Sequence, residues 1–176
     1  MLTYKTGISM KYPLFGAVLF ALSTTFAQAE QHMKDVVAGD LTLSGAFTRA
    51  TLPNAPVAGG FVEITNTGTT DDRLIAAVSP ISLETQIHEM AMDGDVMKMR
   101  ELPDGLVIPA GETVSLKPGD YHVMFMNLTG PLLEGETITM RLFFETAGEV
   151  DLTLPVGPTN AGAMGTMMHS APAASE

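Results

Sequence analysis

The chain has 176 residues, with 20 acidic against 9 basic side chains, a net charge of −11 and a hydrophobic content of 45%. That length suits one domain with a substantial core, and the acidic balance argues against nucleic acid or anionic lipid as a partner. Cysteine is absent while methionine occurs 13 times. Disulfides and thiolate chemistry are therefore excluded, and any soft-metal site must be built from thioether and imidazole.

Lys5 and Lys11 precede the apolar run Leu14–Leu22, followed by the polar Ser23–Thr25 and then Ala27-Gln28-Ala29. A basic region, a short apolar region and a small-x-small site together predict a cleaved signal peptide over residues 1–29. The apolar run is about half the ~20 residues a membrane-spanning helix needs, so no membrane anchor is expected after cleavage. With no cysteine following, a lipid anchor is not expected either. Met1 and Met10 are alternative starts. Losing the two lysines leaves seven basic residues against 20 acidic ones, a net charge of −13 for the remainder.

Residues 30–39 read as a polar lead-in. Thereafter, strands are predicted at Leu41–Arg49, Phe61–Asn66, Arg73–Val78, Leu83–Met92, Asp95–Glu101, Thr113–Leu116, His122–Leu128, Thr137–Glu145 and Val150–Leu154, separated by Gly, Pro, Asn and Asp. No amphipathic helical stretch is evident. Short strands at this spacing describe an all-β antiparallel sandwich or barrel, here over residues 30–156. Residues 157–176, rich in Gly, Ala, Pro and Ser, read as a flexible tail containing Met and His.

Asp93-Gly94 is a two-residue hairpin signal between alternating runs. Taken as the loop, it pairs Met92 with Asp95, Met90 with Met97 and His88 with Met99, so that an imidazole and a thioether face each other. In His122-Val-Met124-Phe-Met126, alternation sends His122, Met124 and Met126 to one face and Tyr121, Val123 and Phe125 to the other. The aromatic and branched face is the natural core. The His/Met face is then free to ligate an ion. Two imidazoles and two thioethers suit Cu(I), whereas zinc favours Cys, His and carboxylate and calcium favours oxygen. His88, Met99, His122 and Met124 are the candidate ligands. Register favours Met99 over Met90, Met97 and Met126, which would line the site. Singly, each is more often a surface His or a packing Met; the two His-x-Met steps and the turn raise the joint reading above that.

These residues, with Gly105-Leu, Pro109-Ala-Gly-Glu112 and Leu116-Lys-Pro-Gly-Asp-Tyr121 between them, resemble the periplasmic copper chaperone family often called PCuAC, over roughly Leu41 to Leu154. Ten residues separate His88 from Met99 and twenty-two separate Met99 from His122, one more than that family's usual interval. The resemblance implies a Greek-key, cupredoxin-like β-sandwich in the periplasm holding Cu(I) through His88, Met99, His122 and Met124. It also implies delivery to the dinuclear copper site of cytochrome c oxidase subunit II, alongside a Sco-type protein. The termini are further candidates, for a second copper as Cu(II). His169 lies in the Met164–His169 tail, and cleavage after Ala29 would make His32 the third residue of the mature chain, where amine, amides and imidazole can wrap a square-planar ion.

Among other classes, a blue-copper carrier and a thiol reductase fail for want of cysteine, and no hydrolase nucleophile motif is visible, so no enzyme is expected. The remaining alternatives are a general copper buffer or scavenger with no dedicated oxidase recipient, and a plain scaffold sandwich.

Overall fold

The computed structural model describes residues 34–162, all of whose regular elements are strands. They are β1 (Val36–Ala38), β2 (Leu41–Arg49), β3 (Val57–Asn66), β4 (Asp72–Val78), β5 (Ser82–Asp93), β6 (Val96–Glu101), β7 (Leu106–Ile108), β8 (Thr113–Leu116), β9 (His122–Leu128), β10 (Thr137–Phe144) and β11 (Gly148–Gly157). The strand order β6-β5-β9-β3-β2-β11-β10-β4-β7 folds over into two layers, with β1 beside β2 and β8 beside the second half of β3. Pairing is antiparallel except where Val156 and Gly157 of β11 run parallel to Thr48 and Arg49 of β2. The fold is thus the expected sandwich, and β11 is the strand that joins its layers.

The core follows from period-two alternation. Ile138, Met140, Leu142 and Phe144 of β10 and Val150, Leu152, Leu154 and Val156 of β11 face inward from one layer. Leu41, Leu43, Val62, Ile64, Ile87, Val123 and Phe125 face them from the other. Burying a side chain of this size stabilises by about 1.5–3 kcal/mol each, which is how the domain holds together without a disulfide.

Three departures from the sequence reading have physical reasons. β1 and β7 are three-residue strands too short to show a period. β3 starts at Val57 instead of Phe61 because Gly59 and Gly60, which read as a break, lie inside the strand. A Cβ at Gly60 would meet the Phe125 ring at 2.9 Å, and one at Gly59 the Phe61 ring at 2.8 Å. The absent side chains let those rings fold across the strand. Third, β11 continues to Gly157, and the turn after it is held by Arg49 Nε donating to the Ala161 carbonyl at 2.7 Å. His32 and His169 lie outside the described residues.

Candidate metal centre

The site is built on β9 and β5, neighbours in the middle of one layer. Lys117-Pro118-Gly119-Asp120 leads into β9 as a tight turn. Asp120 N donates to Lys117 O at 3.1 Å, and Gly119 has φ +84°, as a turn with Pro then Gly at its centre requires. The turn aims the Asp120 carbonyl at the next strand, where His122 Nδ1 donates to it at 3.0 Å. His122 Nε2 then carries the ring's lone pair. Val123 and Phe125 point into the core with no exposure, which fixes His122, Met124 and Met126 on the outer face as the alternation predicts.

Across from β9, Ile87 is a core residue, so Gln86, His88 and Met90 share that outer face. His88 pairs directly with His122, Gln86 with Met124 and Glu84 with Met126. The His88 and His122 rings stand 5.7 Å apart, edge to face at 75°. Both are buried, at 8% and 6% exposure, despite lying on the outer face. Met124 is half-buried, and its neighbour on β3 is Gly59, which has no side chain to crowd the thioether. Beyond Gly59, Phe61 stacks at 4.9 Å on Phe47 and carries the Arg49 guanidinium 5.5 Å above its ring.

A relay along β5 sets the state of His88. Gln86 Nε2 donates to Glu84 Oε1 at 2.8 Å, and His88 Nε2 donates to Gln86 Oε1 at 2.7 Å. A carboxylate only accepts, so the amide must turn its NH2 to Glu84 and its oxygen to the imidazole. His88 is thereby held as the Nε2–H tautomer with the lone pair on Nδ1. That Nδ1 is buried and has no hydrogen-bond partner among the described residues. A buried polar atom left unsatisfied costs about 1–3 kcal/mol, and a metal ion is one partner that would remove the cost. Burial, then the neighbouring His122, pushes the His88 pKa below its ordinary value, against a smaller opposing pull from Glu101. Both effects favour the neutral imidazole a metal requires.

The hairpin register differs from the expected one. Asp93 pairs with Val96, Met92 with Met97, Met90 with Met99 and His88 with Glu101, so the loop is Gly94-Asp95. Gly94 has φ +64° and Asp95 stays out of the left-handed region, the pattern of a turn with glycine at its first central position. The predicted loop needed positive φ at Asp93 as well. The shift moves each strand by one residue, so the pair sums change by two and every side chain keeps its face. Met99 remains on the face of His88 but stands diagonal to it, with Met90 directly opposite. The residue across from His88 is Glu101, so the neighbourhood is not free of carboxylate.

Four residues escaped the sequence reading. Gln86 and Glu84 form the relay, Asp120 lends its carbonyl to His122, and Glu101 faces His88. The i, i+2, i+4 series Glu84, Gln86, His88 was a visible signal for the first two. Among the described residues, no three His, Cys, Asp or Glu side chains gather into a cluster that could hold a metal ion.

This is a two-layer, cupredoxin-like β-sandwich of the PCuAC type, with an imidazole pair on the outer face of its central strands. Residues 41–156 match the family model described as "Putative lipoprotein LpqE-like", and the chain belongs to that LpqE-like family. A curated relative is the putative lipoprotein Lxx21020 of Leifsonia xyli subsp. xyli, 33% identical over 96 residues, 54% of this chain and 58% of that protein. The chain therefore matches little more than half the length of that relative. Among solved structures, the copper-bound PCuAC domain from PmoF2 superposes with a TM-score of 0.61 at 25% identity, covering 72% of this chain and 99% of the domain. The solution structure of CuI-DR1885 from Deinococcus radiodurans shares the fold, with a TM-score of 0.55 at 24% identity, 74% of this chain and 85% of that one.

Proposed function

We propose that the chain is an exported copper chaperone that takes up one Cu(I) ion through His88, His122, Met124 and Met99 and passes it on without catalysis. One observation carries this reading: the directly opposed His88 and His122 each have one ring nitrogen committed to a fixed acceptor, and the Nδ1 freed on His88 is buried with no partner among the described residues. Metal-binding imidazoles are commonly oriented in this way by a bond at the other nitrogen. Met124 adds a half-buried thioether beside the pair. Met99 or its partner Met90 adds a second from the hairpin. Neutral nitrogen and sulfur donors select Cu(I) over zinc, calcium or magnesium. The copper-bound state of the PmoF2 domain and of DR1885 supports the same cargo.

Neutral ligands leave the bound ion cationic and exchangeable, as delivery demands. The recipient proposed is the dinuclear copper site of cytochrome c oxidase subunit II, reached in the periplasm after removal of residues 1–29, with a Sco-type protein acting beside it. A second copper, Cu(II), at His32 or His169 is a separate proposal, resting on sequence alone.

The test is a Cu(I) titration against a graded chelator. Wild type should bind one tight equivalent that is lost in His122→Ala and weakened in Met124→Ala. Equal binding by all three proteins would overturn the reading. Incubation of the loaded protein with an apo subunit II domain then separates a donor, which empties, from a buffer, which stays loaded.

A further inference from the structure

The outer face of β5 does not end at His88. Met90 pairs with Met99 and Met92 with Met97, and all four side chains lie on the face of the imidazoles. Directly opposed residues hold Cβ atoms about 4.5–5.5 Å apart, so the hairpin carries two thioether pairs in file, leading from the imidazoles to its tip.

Core packing does not account for Met92, Met97 and Met99, although Met90 is half-buried. Among the described residues, β6 lies at the sheet edge with β5 as its only strand partner, and each of its residues is exposed. Met92, Met97 and Met99 are 62%, 53% and 46% exposed. The opposite face of the hairpin is an ordinary solvated one, where Arg100 pairs with Glu89 and Lys98 with Asp93. The sequence therefore separates cross-strand ion pairs on one side from thioethers on the other.

We propose that Met92 and Met97, with Met90 beside them, form a thioether-only Cu(I) site on the hairpin, a second station for the ion, more accessible than the buried imidazoles and adjoining their ligand Met99. Thioether is a soft, neutral donor that selects Cu(I). Methionine's three rotatable bonds let side chains from two pairs converge on one ion without moving the backbone. The inner pair, Met90 and Met99, adjoins His88 on one side and Met92 and Met97 on the other. An ion can thus pass between stations by exchanging one ligand at a time, with no electron transferred and no bond broken except metal–ligand bonds. The acidic surface, net −11, raises the local concentration of cations. The proposal goes beyond the His/Met site and uses its own outer donors, so either can fail alone.

The experiment follows Cu(I) binding to the full chain labelled with 13C at the methionine methyls, Cu(I) being diamagnetic. The variants are Met92→Leu/Met97→Leu, which keeps the volume and removes the sulfur, and His88→Ala/His122→Ala. In wild type, Cu(I) beyond the first equivalent should shift the Met92 and Met97 methyls. The leucine variant should keep the tight equivalent and lose a weaker one, at least ~10-fold lower in affinity, a difference of about 1.4 kcal/mol or more. The alanine variant should still show the Met92 and Met97 shifts. Methyl-resolved signals separate this site from Met164, Met167 and Met168. Unperturbed Met92 and Met97 methyls in wild type, an unchanged stoichiometry in the leucine variant, or loss of the shifts in the alanine variant would each overturn the proposal. Shifts at Met92 and Met97 without a tight equivalent would instead retain it and overturn the imidazole reading.

Discussion

The middle of β5 and its Met92 end share one outer face and differ in everything that surrounds it. Around His88 the strand is paired on both sides, and the imidazoles are buried with their tautomers fixed by Gln86 and the Asp120 carbonyl. At the Met92 end it is half of an edge hairpin whose methionines stand in water. The contrast shows how one sheet face can hold an ion and also expose it. Rigidity comes from pairing on both edges of a strand, and access comes from running that strand past its neighbours.

The largest expected effect lies in the rigid middle. His122→Ala should lower Cu(I) affinity by more than ~100-fold, beyond what outer positioning residues usually command, as measured by chelator competition. Next comes Gln86→Leu, which keeps a side chain of similar size but frees the His88 tautomer. It should cost ~10–100-fold in affinity with little change in the urea midpoint. An unchanged affinity would show that the relay does not position His88.

Gly60→Ala probes the sheet beneath the site. A Cβ would stand 2.9 Å from the fully buried Phe125 ring, and such overpacking costs about 1–3 kcal/mol. Chemical denaturation should show that loss. A smaller effect is expected from pH. Folding lowers the His88 pKa, chiefly through burial and then through His122, so the unfolded chain takes up the proton first. This group's contribution to stability is full above about pH 6.5 and declines as pH falls towards the lowered folded value. Wild type should therefore lose slightly more stability than His88→Gln between pH 7.5 and 5, read by chemical denaturation across that range. The smallest effect belongs to the hairpin's polar face. Arg100→Gln removes an exposed ion pair and should change stability by less than ~0.5 kcal/mol and Cu(I) binding not at all. A measurable loss of copper there would break the division between the two faces.

Much of this was legible in the order of residues. Alternation in His122–Met126 assigned the imidazole and thioethers to one face because Val123 and Phe125 could only be core. Asp93-Gly94 located the hairpin and, through strand parity, the faces of His88 and Met99. The absence of cysteine left imidazole and thioether as the soft donors. Those inferences hold because side-chain direction in a strand repeats every two residues, whatever the strand packs against.

Only tertiary structure decided the rest. Placing Gly94-Asp95 in the loop gave Met99 to Met90 and put Glu101 across from His88, since turn energetics can move a register by one residue per strand without disturbing the pattern. The direct pairing of His88 with His122 depends on β5 joining β9 across 33 intervening residues, a contact no local spacing encodes. The burial that leaves His88 Nδ1 without a partner, and the exposure of Met92 and Met97, likewise depend on where each strand ends in the sheet. Sequence settled which side chains share a face; the sheet's neighbours settled which are dry, fixed and paired, and which stand in water.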